Sequence, residues 1–478
     1  MALRIYDTLT RQVQTLKPPS EAGVLGIYAC GPTVYDDPHI GHLRSAYVFD
    51  VARKVLRHAG YKTKFVRNVT DVDDKIIDRA AKDKTPAKQL AVKYLAAYHA
   101  ALAKFGIEPP DVEPKATEHI AHMHGMIREL ISREIAYEAA GSVYFRVRKF
   151  ADYGALSNRR NLDELFQNTR KDPGEGKEDP FDFALWKKAD DELSVDSPWG
   201  RGRPGWHIEC SAMSSAHLGD AFEIHGGGLD LLFPHHENER AQSMALAKPF
   251  ARVWMHHGLV TVGGKKMSKS DNNFVTLEEV EKRGYSLDAL KLLFLQSHYR
   301  SDVDFTREKL KALDETLKSF RLFFEKASGG AAGNTKEQDE SFRAALDNDF
   351  DTPAVVALLF GELTRGNQNL QKGDANAASV SARWIKEKAS LFGLLGGAAA
   401  EKTASWHATL KSIVRLREES RQAKKFQVSD LIRGELVKIG FEAEDGKRGS
   451  FFTYLGKETE ADVDGRLKDL LKRVESMK

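Results

Sequence analysis

The segment from Val24 to Ala59 constrains this chain more than any other. Val24-Leu25-Gly26-Ile27-Tyr28-Ala29 is an apolar run of strand length, and Cys30-Gly31-Pro32-Thr33 breaks it with turn residues. His39-Ile40-Gly41-His42 then opens a stretch in which Ala46, Phe49, Val51, Ala52, Val55 and Leu56 recur at helical spacing, closing near Gly60. Strand, glycine turn and helix N-terminus together gather free backbone N–H groups and positive dipole around a phosphate. Two imidazoles placed there can donate hydrogen bonds to a phosphate passing through a pentacovalent state. The bland alternative is a surface turn that carries histidines. Two of them flanking Ile-Gly at a strand–helix junction favour the phosphate site.

The next segment repeats the pattern. Lys62 to Thr70 alternates like a half-buried strand, ends in the acidic turn Asp71-Val72-Asp73-Asp74, and leads into a helix from Lys75. Strand–helix–strand–helix predicts a βαβ unit, hence an α/β fold with a Rossmann-like parallel sheet. From about Thr85 to Glu134 the pattern is helical with Pro109-Pro110 as a break, Ser142 to Val147 reads as a strand, and Asn158 to Pro180 as loop-rich. The sheet resumes near Trp206. Ala221 to His225 is a strand running into Gly226-Gly227-Gly228, where backbone can approach a ligand closely. Arg252 to His256 and Gly258 to Val262 are short strands leading to Gly263-Gly264-Lys265-Lys266-Met267-Ser268-Lys269-Ser270. This Gly-hinged basic loop can fold over polyphosphate and lend charge as a leaving group develops.

From Ser286 the pattern is helical. The expected organisation is a catalytic domain over 1–285 with a helical insertion at about 85–201, a helical region at 286–330, a helical bundle at 331–400 and a small C-terminal domain at 401–478. The composition, 41% hydrophobic and 29% charged, is ordinary for a globular protein, and no apolar run nears the ~20 residues of a membrane span. Met1 to Thr10 lacks an apolar signal core, so a cytoplasmic protein is expected. Net charge is only +3, so a nucleic-acid partner would be met by local patches such as Arg415, Arg417, Arg421, Lys424 and Lys425.

The chain has two cysteines, Cys30 and Cys210, each inside a motif-dense region. His235 and Glu239 are four apart, so a helix starting at Pro234 puts both on one face. Two thiolates, one imidazole and one carboxylate make a plausible tetrahedral Zn²⁺ set, with His236 competing for the imidazole position.

His39-Ile40-Gly41-His42 and Lys266-Met267-Ser268-Lys269-Ser270 match the two signatures of class I aminoacyl-tRNA synthetases. Cys30 to Asp36, Asn68 to Lys75, Gly205 to Ser211, His225 to Gly228 and Phe233 to Glu239 narrow the resemblance to the cysteine–tRNA ligase family. It covers about Leu3 to Leu395 and thins beyond. The resemblance implies one Zn²⁺ per chain on Cys30, Cys210, His235 and Glu239, which would favour a cysteine thiolate over a serine hydroxyl. It implies that Gly31, Thr70, Trp206 and His225 surround the amino acid. His39 and His42 would face the α-phosphate of ATP, which arrives with Mg²⁺. Lys266 and Lys269 would hold the departing phosphates, and Gly41, Gly227, Gly228 and Asp230 would contact the nucleotide. The implied reaction forms cysteinyl-adenylate and then charges tRNA(Cys), by an enzyme expected to be a monomer with no membrane partner.

One alternative is a ligase joining cysteine to an amino sugar in mycothiol synthesis, whose chain is shorter after the lysine loop. The long helical stretch after Ser270 and its basic tail favour tRNA. A zinc-stabilised RNA-binding protein without activity is a further alternative, against which the intact His39, His42, Lys266 and Lys269 argue.

Overall fold

The computed structural model describes residues 3–16, 23–159, 176–267, 273–327, 333–396, 406–446, 449–454 and 460–477. The chain divides into two compact units. The first comprises Met1–Glu279, Ser297–Phe305 and Ala344–Thr352; the second Val280–Gln296, Thr306–Arg343 and Pro353–Lys478.

The first unit begins with a hairpin, β1 (Arg4–Asp7) and β2 (Gln12–Thr15), followed by β3 (Val24–Ala29) and helix α1 (Ile40–His58). Next come β4 (Lys62–Arg67), α2 (Asp74–Asp83), α3 (Ala87–Lys104) and α4 (Ile120–Ser132). Short strands β5 (Ala136–Ala139), β6 (Ser142–Phe145), β7 (Phe183–Lys188) and β8 (Gly202–Pro204) lead to α5 (Trp206–Leu218) and β9 (Ala221–Gly228). Helix α6 (Glu237–Ala245), β10 (Phe250–His257), β11 (Val260–Val262), β12 (Lys265–Lys266) and β13 (Val303–Phe305) complete it.

The central sheet has four parallel strands in the order β10-β9-β3-β4. Its middle strand is apolar on both faces, with Ile27 and Tyr28 buried, as a sheet covered by helices requires. The chain leaves β3 towards β4 on one side and later fills β9 on the other. The order therefore reverses at β3/β9, and the crevice beyond the C-terminal ends of these two strands is where an open α/β sheet receives ligands.

Three expectations are corrected. The insertion holds more than the one strand expected at Ser142 to Val147, because β5 to β8 form a four-stranded antiparallel sheet. Strand β9 does not end at His225 but runs on through Gly226, Gly227 and Gly228. They are its last three residues, paired with Met255, His256 and His257 of β10. The region after Ser286 is not wholly helical either, since β13 pairs in parallel with β11. Asp349 fixes that return of the chain: it accepts from the Tyr6 amide at 2.8 Å, the Tyr299 hydroxyl at 2.7 Å and Arg300 Nε at 2.9 Å.

In the second unit, helices Leu287–Leu295, Arg307–Lys326, Thr352–Lys372 and Ala375–Ser390 precede a C-terminal module with its own core. That module holds helices His407–Gln422, Phe426–Ile439 and Glu460–Glu475, which bury Ile413, Ile432, Leu436, Val463 and Leu467 together. No helix among the described residues is long and apolar enough to cross a membrane.

Candidate active site and metal centre

A cavity of about 280 Å³ opens at the β3/β9 crevice. Cys30, Gly31, His39, Gly41, His42, Thr70, Trp206, Cys210, Gly228, Asp230 and His235 all line it, so residues from widely separated segments meet around one cavity.

The start of α1 is built differently from the open N–H cradle expected there. His39 is the N-cap, and its Nδ1 accepts from the amides of Gly41 at 3.0 Å and His42 at 3.3 Å. His42 Nδ1 in turn accepts from the His39 amide at 3.3 Å, a capping box made by two imidazoles. The Ile40 amide is taken by Val275 O. The backbone donors of this first turn are thus consumed within the chain. With each Nδ1 acting as acceptor, both neutral rings carry their hydrogen on Nε2. Those two N–H groups, not the backbone, are what the helix end offers a ligand. The rings stack with centroids 3.8 Å apart. Burial pushes His39 down to about 4, and burial, His39 and the charge of Lys75 push His42 down to about 3, so both are neutral near pH 7. Gly41 permits the arrangement: a Cβ there would lie 2.8 Å from the His39 ring.

Helix α1 is held to the lysine hairpin by Arg44. Its guanidinium donates to Leu259 O at 2.7 Å, to Tyr299 O at 3.3 Å and to Ser301 O. These carbonyls precede β11 and β13, which together with β12 form the small sheet carrying Lys266. Met267 lines the cavity beside Gly41. Lys269 lies outside the described residues.

Gly31 and Thr70 shape the opposite wall. The Gly31 amide donates to Asn68 Oδ1 at 2.8 Å, and a Cβ at Gly31 would collide with the Asn68 carbonyl. Thr70 donates to Glu209 Oε2 at 3.0 Å. At the nucleotide end, Gly228 and Asp230 lie side by side, and a Cβ at Gly228 would strike the Asp230 carboxylate. Gly227 faces elsewhere: its added Cβ would meet Leu231 and His236.

Beneath the cavity sits a buried cluster of sulfur, nitrogen and oxygen. Cys30 Sγ is 3.7 Å from Cys210 Sγ and 3.5 Å from Glu239 Oε1, and His235 Nε2 is 3.0 Å from that same oxygen. The donor atoms of Cys30, Cys210, His235 and Glu239 all lie within 4.8 Å of one another. Burial, the neighbouring thiol and Glu239 push the Cys30 thiol well up, and burial raises Cys210 and Glu239 as well. Several potential anions are crowded together in a buried site, the condition a divalent ion relieves. The set fits zinc in ligand type and number.

A second quartet, Cys30, His225, His236 and Glu239, meets the same distance condition, so the competition between neighbouring imidazoles persists in three dimensions. The two histidines differ in surroundings. His235 lines the cavity and stacks on Trp206 with centroids 4.1 Å apart, while His207 Nδ1 lies 3.0 Å from its Nδ1. His236 is fully buried, with Nε2 3.3 Å from Cys30 Sγ and Nδ1 2.7 Å from His256 Nε2. His225, expected beside the amino acid, is fully buried and off the cavity wall. Its Nε2 lies 2.9 Å from Glu239 Oε2 and its Nδ1 3.3 Å from Tyr28 O.

Sequence reasoning assigned nothing to His207, Glu209, Asn68 or His256, although all four touch residues of the site. For His207 a signal existed, since it precedes Cys210 by three on a helix and so shares its face.

Comparison with known proteins adds an independent line. Residues 16–315 match the family model described as tRNA synthetases class I (C) catalytic domain, and residues 341–396 match the DALR domain. The chain is 44% identical to the cysteine–tRNA ligase of Aquifex aeolicus and 45% to that of Pseudomonas aeruginosa, in each case covering 94% of this chain and 98% of the relative. Among solved structures it resembles Mycobacterium tuberculosis methionyl-tRNA synthetase in complex with methionyl-adenylate. The TM-score is 0.59 at 14% identity, covering 77% of this chain and 90% of that one, a likeness of fold.

Proposed function

The chain belongs to the cysteine–tRNA ligase family of class I aminoacyl-tRNA synthetases and, as such, joins L-cysteine to tRNA(Cys) using ATP; from that premise we propose how its own residues divide the work. The observation that carries the reading is the convergence of Cys30, Cys210, His235 and Glu239 under the same cavity that His39 and His42 line.

Cys30, Cys210, His235 and Glu239 would hold a zinc ion, which when bound supplies affinity for a thiolate that a hydroxyl cannot match. Apolar packing alone distinguishes near-isosteres by only ~1–3 kcal/mol, so a donor-specific site is the economical solution. Trp206 walls the amino-acid end, with its ring fixed by the stack on His235. Thr70 and Gly31 keep that wall close to the substrate backbone.

Activation needs no covalent enzyme intermediate. The cysteine carboxylate attacks the α-phosphorus of ATP and pyrophosphate leaves with the electron pair. The terminal ribose of tRNA then attacks the carbonyl and AMP leaves. Catalysis is therefore positioning plus charge stabilisation. His39 and His42 donate through Nε2–H to the α-phosphoryl oxygens, Asp230 accepts from the ribose hydroxyls, and Lys266 and Lys269 meet the departing phosphates together with Mg²⁺. Arg44 sets the spacing between the imidazole pair and the lysine hairpin. The second unit, with the C-terminal module at its end, serves the tRNA.

The test is ATP–pyrophosphate exchange with cysteine against serine, followed by cysteinylation of a tRNA transcript against an amino-sugar acceptor. Cysteine-dependent exchange and tRNA charging are expected. Transfer to the amino sugar alone would replace the acceptor, and selectivity for cysteine that survives metal removal would overturn the role of the four-residue cluster.

A further inference from the structure

Lys75 is the second residue of α2, directly behind the acidic turn, and it lines the cavity. Its Nζ lies 5.7 Å from the ring centroid of Tyr35 and 6.0 Å from that of Trp206, so the ammonium rests against aromatic faces. The carboxylates beside it in sequence are engaged elsewhere. Asp71 accepts from the Thr117 amide at 3.0 Å and its hydroxyl at 2.6 Å. Asp73 caps α2 by accepting from the Lys75 amide at 2.8 Å. Asp74 pairs with Lys187 at 3.0 Å and with Arg203 at 2.6 Å. Asp36, next to Tyr35 in sequence, pairs with Arg79 at 3.0 Å. Among the described residues, no carboxylate forms an ion pair with Lys75.

A cation held on aromatic faces at a cavity, without a carboxylate partner among the described residues, is placed for an anion that comes and goes. Its charge reaches His42, whose proton affinity it lowers, and Trp206 stands on its other side. His42, Lys75 and Trp206 line the same cavity, the space in which an amino-acid carboxylate would meet the α-phosphate on the reading above.

We propose that Lys75 stabilises the α-phosphoryl group during adenylate formation, an assignment that rests on the reading of the cavity under Proposed function. In that step a carboxylate oxygen forms a bond to the α-phosphorus, the bond from that phosphorus to the bridging oxygen of pyrophosphate breaks, and no proton moves. Negative charge gathers on the non-bridging oxygens. His42 approaches them with a neutral N–H and Lys75 with a full charge, so the two share the load from different elements, α1 and α2. The residue acts on the transition state rather than on binding of either substrate.

The experiment is cysteine-dependent ATP–pyrophosphate exchange by the full chain with bound zinc, comparing Lys75→Met, Lys75→Arg and His42→Ala. Lys75→Met is expected to lower kcat about 30- to 100-fold, with KM for ATP and for cysteine within about threefold of wild type. Lys75→Arg is expected to recover at least about a tenth of the wild-type rate. Because the lysine is exposed, zinc content and melting temperature should not change. Wild-type exchange by Lys75→Met beside a defective His42→Ala overturns the role of Lys75 and leaves the reading of the cavity standing. Wild-type exchange by both variants overturns that reading too. A defect of Lys75→Met confined to KM for cysteine overturns the transition-state role and makes Lys75 an amino-acid contact.

Discussion

His225 Nε2 and Glu239 Oε2 lie 2.9 Å apart with neither side chain exposed, so the carboxylate of the candidate metal quartet is oriented by an imidazole from β9. Orientation from behind commonly governs metal affinity as much as ligand identity does. His225→Leu is expected to weaken zinc binding by ~10- to 100-fold without abolishing it. Competition with a chromophoric chelator measures this, and unchanged zinc affinity would remove His225 from the centre.

The two overlapping quartets make a sharp contrast. If Cys30, Cys210, His235 and Glu239 hold the ion, Cys210→Ser and His235→Ala should each lose it, whereas His236→Ala should keep about one zinc per chain. Metal analysis of purified variants decides. The opposite pattern, with zinc lost only on changing His236, would move the centre to the second quartet.

Gly41 tests the imidazole capping box without touching either ring. Gly41→Ala drives a methyl group to 2.8 Å from His39, so His39 must leave its place over the first turn. Exchange should slow by ~10²-fold or more, the scale of losing a transition-state hydrogen-bond donor. Circular dichroism should show an intact fold. A fully active Gly41→Ala variant would show that the paired rings are not needed in this geometry.

Acid should destabilise the fold through buried neutral imidazoles. Burial holds His39 and His257 at about 4 and His42 at about 3, below the ~6.5 of an exposed ring. Between those values the unfolded chain takes up protons that the folded chain refuses. The stability is therefore complete above ~6.5 and lost as pH falls towards ~4, at about 1.4 kcal/mol per pH unit for each proton. The urea midpoint should drop between pH 7 and pH 5, and less steeply for His257→Asn. An identical slope for that variant would refute the contribution of His257.

The C-terminal module buries its own apolar set, Ile413, Ile432, Leu436, Val463 and Leu467 among them. A chain ending at Gly396 should keep ATP–pyrophosphate exchange within about threefold of wild type while losing ~10-fold or more in kcat/KM for tRNA. Loss of exchange by the folded truncation would instead give the module a part in adenylate formation.

Some of this could be read from the chain alone, for physical reasons. The β3–α1 junction is legible because the apolar period changes from strand to helix across glycine and proline. Cys30 and Cys210 stand out because they are the chain's two cysteines, whereas the choice of His235 over His236 comes from the family resemblance and not from spacing. Of the sheet of β5 to β8 only β6 is legible, since strands of three to six residues are mostly too short for alternation to register. Nor does sequence reveal that the first-turn amides of α1 are spent on His39, because that depends on a rotamer. Spacing also cannot say that His225 turns away from the cavity towards Glu239, a consequence of which face of β9 the residue occupies.

Cys30 and Glu239 stand 209 positions apart, yet their side chains meet. A ribosome must therefore complete half the polypeptide before any zinc pocket can close. Early folding of the first βαβ unit has to proceed with a bare thiol at its edge, and capture of an ion by this cluster would be a late seal that rewards only chains whose distant halves have already found each other.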